Sequence, residues 1–495
     1  MLPILSLIVL IPLIFAALTL LTKTKEQARA MALVATVVVL VLTLYMYFNF
    51  DSTIAENQFE ELYQWVPSLG IQYHLGVDGI GMPLILLNAI VLPFLILFTW
   101  NDDRKSPNRF YALILATEGA AIGVFAALDF FLFYIFWELT LVPLFFMVSI
   151  WGGPNKHHAA IKFFIYTHIA SLVMLLGIFG LYFAAWANTG APSFDIPYLL
   201  SQFQFLESGV MKDLIVLALM FGFIVKLPVF PFHSWQPDAY TEAPTAGSVL
   251  FVMLKIGGYG IFKILLPLIP FTASPNLMIT ILAAVGAVSI IYGAFVALSQ
   301  RDLKRMIAYS SVSHMGYVTL GAAGLVSLSV SGAMFQQFSH GLIMSVMFMA
   351  SGVINATTGT RIINDLGGLA QKMPKLAVIM VLTFMASLGL PGLSGFIAEV
   401  SVLAGSFVNL PGYVMIALLA IVITAAYHLW ALQRAMFGVF NEKLGTIVDI
   451  NGYQTLSMGI IAILILYFGL NPSPVLNMML TNSEQIISLM AVMGV

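Results

Sequence analysis

The sequence predicts an all-α membrane protein of about fourteen transmembrane helices, some of them broken in mid-membrane. Three observations carry that prediction. The 495 residues are 60% hydrophobic and only 8% charged, against about 25% charged in an average soluble domain. Runs of the roughly 20 apolar residues needed to cross a bilayer recur along the whole chain. Between those runs the basic residues fall in alternate loops.

The apolar runs lie at about 2–22, 29–49, 80–100, 109–128, 130–150, 160–187, 212–234, 244–269, 276–299, 306–326, 328–355, 375–408, 412–439 and 453–471. The first lacks a charged leading region and a small-residue cleavage site, so it reads as a retained span. The fourth and fifth merge except for Asp129, and the twelfth is long enough to hold a break. Loops after odd-numbered runs carry sixteen of the 20 Lys and Arg. The opposite loop at 50–79 has Asp51, Glu56, Glu60, Glu61 and Asp78 and no basic residue. The positive-inside rule places the basic loops in the cytoplasm, and both termini on the outer side of the cytoplasmic membrane. The mixed segment 194–209, FDIPYLLSQFQFLESG, is expected to lie along the outer surface. A net charge of −2 argues against nucleic acid as a partner. With no cysteine there is no thiolate ligand for an iron–sulfur cluster, and no cofactor or metal is expected in this chain.

The stretch Gly222–Gly260 concentrates residues that a bilayer disfavours. Lys226 and Lys255 each sit inside an apolar run, with Pro228, Pro231, Pro237, Pro244, His233, Asp238 and Glu242 between them. A lysine at the centre of a membrane helix costs roughly 2.5–3.5 kcal/mol on insertion scales. Pro228 removes a backbone donor two residues after Lys226 and is expected to interrupt the helix. Such interruptions persist only where protein or a water-filled cavity satisfies the freed backbone. The seventh run, VKLPVFPF, is echoed by LGLPGLSGF in the twelfth, which contains Pro391. The two lie five runs apart, an odd offset, so they cross the membrane in opposite senses. That is the pattern of an inverted repeat whose broken helices build a midplane site.

Within the runs, Glu138 (FWELTLVP), Lys226, Lys255, His314 (SVSHMGY), His340 (QQFSHGL) and Glu399 (SGFIAEV) are candidates for proton translocation. Their side chains take and release protons. Burial disfavours the charged form of each, and a nearby opposite charge restores it. A carboxylate that approaches and leaves an amine therefore loads and unloads its proton, and Glu138 with Lys226 is the expected pair. The plainer reading is structural ion pairs and satisfied histidines. His168 and His428 lie in runs without a named partner, Glu118 has none by pattern, and Lys263 lies near enough to the surface to snorkel or serve an exit.

The motifs FWELTLVP, VKLPVFPFHSWQPDAYTEAPTAGSVLFVMLKIGGYG, LKRMIAYSSVSHMGY, SHGL and LPGLSGFIAE closely resemble the antiporter-like membrane subunits of respiratory complex I, over about residues 70–470. Glutamate at Glu399 is similar to the NuoM class, where the NuoL and NuoN classes and stand-alone antiporters generally have lysine. The N-terminus and EAPTAGS are most similar to the FpoM branch of methanogenic archaea. That branch belongs to a dehydrogenase which oxidises reduced deazaflavin coenzyme F420 and reduces methanophenazine. The resemblance implies two inverted five-helix repeats, here 108–270 (helices 4–8) and 275–440 (helices 9–13). They lie between residues 1–107 (helices 1–3) and 441–495 (helix 14 and a tail). It implies that Glu138 and Lys226 form a switching pair, that Lys255 and His314 continue a hydrated axis with His340 beside them, and that Glu399 ends it. The implied partners are other antiporter-like subunits, lipid, and a redox arm carrying flavin and iron–sulfur clusters. The expected function is proton translocation driven by that arm. The alternatives are a cation/proton antiporter without redox partners, and a spacer that no longer pumps.

Overall fold

The computed structural model describes residues 3–203, 209–269 and 276–493. Each of the fourteen apolar runs overlaps a helix or two or more helical pieces. By length and composition, ten helices among the described residues can cross a membrane. The expected boundary between the repeats, 270–275, lies outside the described residues. So do 204–208 of the segment expected along the surface, whose first half is the helix Ile196–Phe203.

Among the described residues one element departs from all-helical. Gln58–Val66 and Ile71–Val77 form an antiparallel hairpin, in register at Tyr63–Tyr73 and Gln64–Gln72. Its turn closes through Gly70 at φ +69°, where a Cβ would lie 2.1 Å from the Pro192 carbonyl oxygen. The signal was present in the alternation of LYQWV and IQYHLGV about the turn PSLG, in a stretch read only for its charges. The acids are its anchors. Glu61 accepts hydrogen bonds from Leu5 N (2.8 Å) and Ser6 N (3.2 Å), so it caps the helix Ile4–Leu20. Asp129 caps the helix Phe130–Leu139 through Phe131 N (2.8 Å) and also accepts Gln72 N (3.0 Å).

These contacts define a hairpin face. The opposite face carries the basic loops, where Lys162 and Arg305 both reach Asp238, at 2.7 and 3.2 Å. After the fourteenth run, the stretch read as a tail forms the helix Ser473–Met493. Asn482 binds Gly79 N and the Ala55 carbonyl, and Thr481 binds the Ser52 carbonyl. Buried Val475, Met479, Asn482, Ser483 and Ile486 recur at helical spacing. The helix therefore lies along the hairpin face.

The breaks position the interior. Val210–Lys226 ends on Lys226 itself, and the chain resumes as Trp235–Glu242. Pro228 and Pro231 lie in the gap. The Trp235 indole donates to the Val225 carbonyl (3.0 Å), and Phe230 N donates to Ser289 Oγ (2.9 Å), so freed backbone groups find protein partners. The twelfth run splits into Pro374–Ser387 and Ser394–Phe407 about Pro391. A further break, without proline, separates Thr245–Met253 from Ile256–Gly260 and leaves Lys255 at the joint. A π-helical turn, Ile261–Leu265, follows.

Candidate functional site

Glu138 lies on the Phe130–Leu139 helix with its side chain 23% exposed, and Oε2 is 3.0 Å from His168 Nδ1. His168 stacks on Phe164, with ring centroids 5.5 Å apart. The expected contact of Glu138 with Lys226 is not made. Lys226 Nζ is buried with no hydrogen-bond partner among the described residues. It sits 5.8 Å from the Trp137 ring centre and 5.7 Å from that of Phe163, within the range of a cation–π attraction. Adjacent residues on a helix are rotated by about 100°. Trp137 therefore faces Lys226 while Glu138 turns to the His168 helix, Lys156–Thr189.

A cavity of about 20 Å³ separates Lys226 from Lys255, lined also by Trp235, Tyr240 and Ser311. That is room for about one water molecule. On its far side Lys255 Nζ is 2.8 Å from His340 Nδ1, and His340 Nε2 is 3.0 Å from Ser311 Oγ. Charged Lys255 donates to Nδ1, and the proton on Nε2 then points to Ser311. Passing a proton through the ring exchanges those roles, which suits imidazole to relay.

His340 and His314 stand 5.6 Å apart, centre to centre. His314 Nδ1 lies 3.3 Å from Glu399 Oε1 and 3.4 Å from Gln336 Nε2, while its Nε2 is 3.2 Å from Ser387 Oγ. Nδ1 can donate to the carboxylate or accept from the amide, and cannot do both at once. A second cavity of about 10 Å³ is lined by His314, His340, Gln336 and Glu399. The loop of the twelfth-run break wraps this end. Gly389, at φ +80°, approaches so closely that a Cβ there would lie 2.8 Å from Glu399 Oε2.

The structure thus joins Lys255 to His340 by a hydrogen bond and sets His314 against Glu399, with the two histidine rings 5.6 Å apart, Lys226 across a cavity and Glu138 set aside on His168. Four participants, His168, Gln336, Ser311 and Ser387, were not singled out from the sequence. His168 was noted without a partner, because its partner lies on another helix. Gln336 stands one turn before His340, and Ser311 one turn before His314, spacings legible in QQFSH and SVSH. Lys304, counted among the loop charges, is buried, and its Nζ donates to the Ala243 carbonyl. Both oxygens of Glu118 are buried without a hydrogen-bond partner, and His428 Nδ1 is 2.9 Å from the Thr424 carbonyl. Among the described residues no cluster of three or more His, Cys, Asp or Glu could hold a metal ion.

Residues 127–425 match a family model described as NADH:quinone oxidoreductase/Mrp antiporter, TM. The chain is 67% identical to F420H2 dehydrogenase subunit M of Methanosarcina mazei, over 100% of both chains. It is 39% identical to NADH-quinone oxidoreductase subunit M of Rhodobacter capsulatus, over 86% of this chain and 83% of that one. Among solved structures, a chain of respiratory complex I from Thermus thermophilus superposes with a TM-score of 0.89 at 28% identity, covering 98% of this chain and 100% of that one. A chain of the Mrp complex from Dietzia sp. reaches 0.84 at 18% identity over the whole of both chains, which shows a shared fold. By sequence and fold together, this chain belongs to the multi-pass membrane subunits of the NADH:quinone oxidoreductase/Mrp antiporter family.

Proposed function

We propose that this chain is the proton-translocating antiporter-like subunit of a complex I-type dehydrogenase in the cytoplasmic membrane. It spans the bilayer fourteen times, with both termini outside. The observation that carries the reading is the line Lys226–Lys255–His340–His314–Glu399, buried at the level of three helix breaks. Partner subunits supply the energy: a redox arm with flavin and iron–sulfur clusters, and neighbouring antiporter-like subunits. The similarity to F420H2 dehydrogenase subunit M favours reduced deazaflavin as the electron source of the assembly. It also favours a redox-driven pump over a free-standing cation/proton antiporter.

In this mechanism Glu138 exchanges partners. Paired with His168, as in the structure, it makes no ion-pair contact with Lys226, whose Nζ has no hydrogen-bond partner among the described residues. Turned toward Lys226, it stabilises the ammonium and draws a proton onto it. Two unit charges ~4 Å apart interact by ~4 kcal/mol at an effective dielectric of ~20. Moving one charge across ~150–200 mV costs about the same, so this exchange has the energy to move a proton uphill. When Glu138 returns to His168, the proton crosses the cavity to Lys255 and displaces charge through His340 and His314 toward Glu399. The test is the purified complex in proteoliposomes, with redox turnover and acidification measured together. Glu138→Gln is expected to keep assembly and lose acidification; full pumping in that variant would refute the assignment, and sodium-dependent transport would point to the antiporter reading.

A further inference from the structure

A cavity that bears on this site lies outside the line from Lys226 to Glu399. It measures about 420 Å³ on the hairpin face and is lined by Glu56, Glu60, His74, Asp78, Asp195 and Lys263 among others. Its acids are not all engaged alike. Asp195 is 2.7 Å from His74, and Lys263 Nζ donates to Asp78 Oδ2 (2.6 Å) and Asn57 Oδ1 (2.8 Å). No hydrogen bond or ion pair occupies the Glu56 and Glu60 carboxylates among the described residues, so the cavity carries net negative charge.

The helix that reaches this cavity is the one broken at Lys255. Tyr259 N donates to the Lys255 carbonyl (3.0 Å), one α-helical turn on, and Lys263 follows one turn later. Lys255, Tyr259 and Lys263 therefore form a stripe at intervals of four, running from the joint toward the hairpin face. Side chains on a helix lean toward its N-terminus, so Tyr259 leans back to Lys255 and Lys263 back to Tyr259. Tyr259 is buried and edge-on to Phe125 at 5.4 Å; the Phe125 carbonyl packs on Gly81, whose N donates to Asp78 Oδ1 (2.9 Å). Lys263 sits in the π-helical turn Ile261–Leu265, a distortion that often marks functional sites.

We propose that this stripe is a proton outlet: Lys255 discharges through Tyr259 and Asp78 into the acidic cavity, without passing through Glu399. The Tyr259 oxygen accepts a proton that originates as an N–H of Lys255, and its own proton leaves to Asp78, so the hydroxyl ends neutral. Asp78 holds it briefly as the acid and releases it to water in the cavity. The Lys263 ammonium stays charged throughout and returns Asp78 to the carboxylate. The outlet rests on the proton-translocating function proposed above. It differs from the lateral line in using one helix and the hairpin face.

The test uses the whole complex in proteoliposomes, reading acidification against redox turnover with and without uncoupler. Tyr259→Phe keeps the ring and its Phe125 contact but cannot relay, and is expected to slow acidification about tenfold while uncoupled turnover stays unchanged. Tyr259→His can carry a proton and is expected to recover much of that loss, which a purely structural ring would not do. The double variant Asp78→Asn/Lys263→Met removes both charges together and keeps Asp78's backbone-binding oxygen; it is expected to behave like Tyr259→Phe. Full acidification in Tyr259→Phe and in the double variant overturns the outlet. If Glu138→Gln is silent as well, the translocation reading itself has failed; if Glu138→Gln abolishes pumping, only the outlet has.

Discussion

Lys226 Nζ has no hydrogen-bond partner and Lys255 Nζ has one, and substitution should separate them. An unpaired buried charge opposes folding, so Lys226→Met is expected to leave the melting temperature of the complex unchanged or raised while acidification stops. His340→Ala works the other way. It strips Lys255 Nζ and Ser311 Oγ of a shared partner, at about 1–3 kcal/mol for buried groups left unmade. Calorimetry of the assembled complex should show a lower melting temperature; an unchanged one would mean the contact contributes nothing. At this scale the sequence exposed the ionisable groups because a charge in an apolar run stands out. It hid Ser311, Gln336 and the His168–Glu138 contact, because neutral polar residues are ordinary in helices and partners on other helices leave no local trace.

Helix breaks divide into those that proline writes and one that packing makes. Pro228, Pro231 and Pro391 announce the seventh and twelfth breaks. The break at Lys255 has no proline, and its joint is held by close approach: a Cβ on Gly257 would lie 2.5 Å from Leu227 N, where the seventh run also breaks. The two interruptions therefore abut. Gly257→Ala meets backbone and should cost about 1–3 kcal/mol by overpacking, with faster hydrogen exchange over 222–260. On Gly258 a Cβ would lie 2.1 Å from Gln337 Oε1, the movable end of a side chain. Gly258→Ala should be milder, and equal exchange in the two variants would show that the joint does not depend on that contact. The hairpin belongs here too, since its alternation was readable, yet a two-stranded ribbon needs Glu61, Asp129 and the chain around Pro192 to hold it.

Across the whole molecule, the basic loops gather on one face and the hairpin, the Ser473–Met493 helix and the acidic cavity on the other. The chain contains no cysteine, so single cysteines report cleanly. Thr53→Cys is expected to react with a membrane-impermeant maleimide in intact cells, and Glu442→Cys only after permeabilisation. Labelling of both from one side would refute the fourteen-span count, and the reverse pattern would refute the orientation. Membrane residence, the apolar runs, the two charged faces and the ionisable groups were determined by the sequence, because transfer from water to lipid is decided residue by residue. Which group meets which was decided only by the tertiary structure. Whether Glu138 finds His168 or Lys226, and whether Lys255 finds His340, depends on how helices far apart in the chain rotate and pack, and no short stretch of sequence contains that rotation.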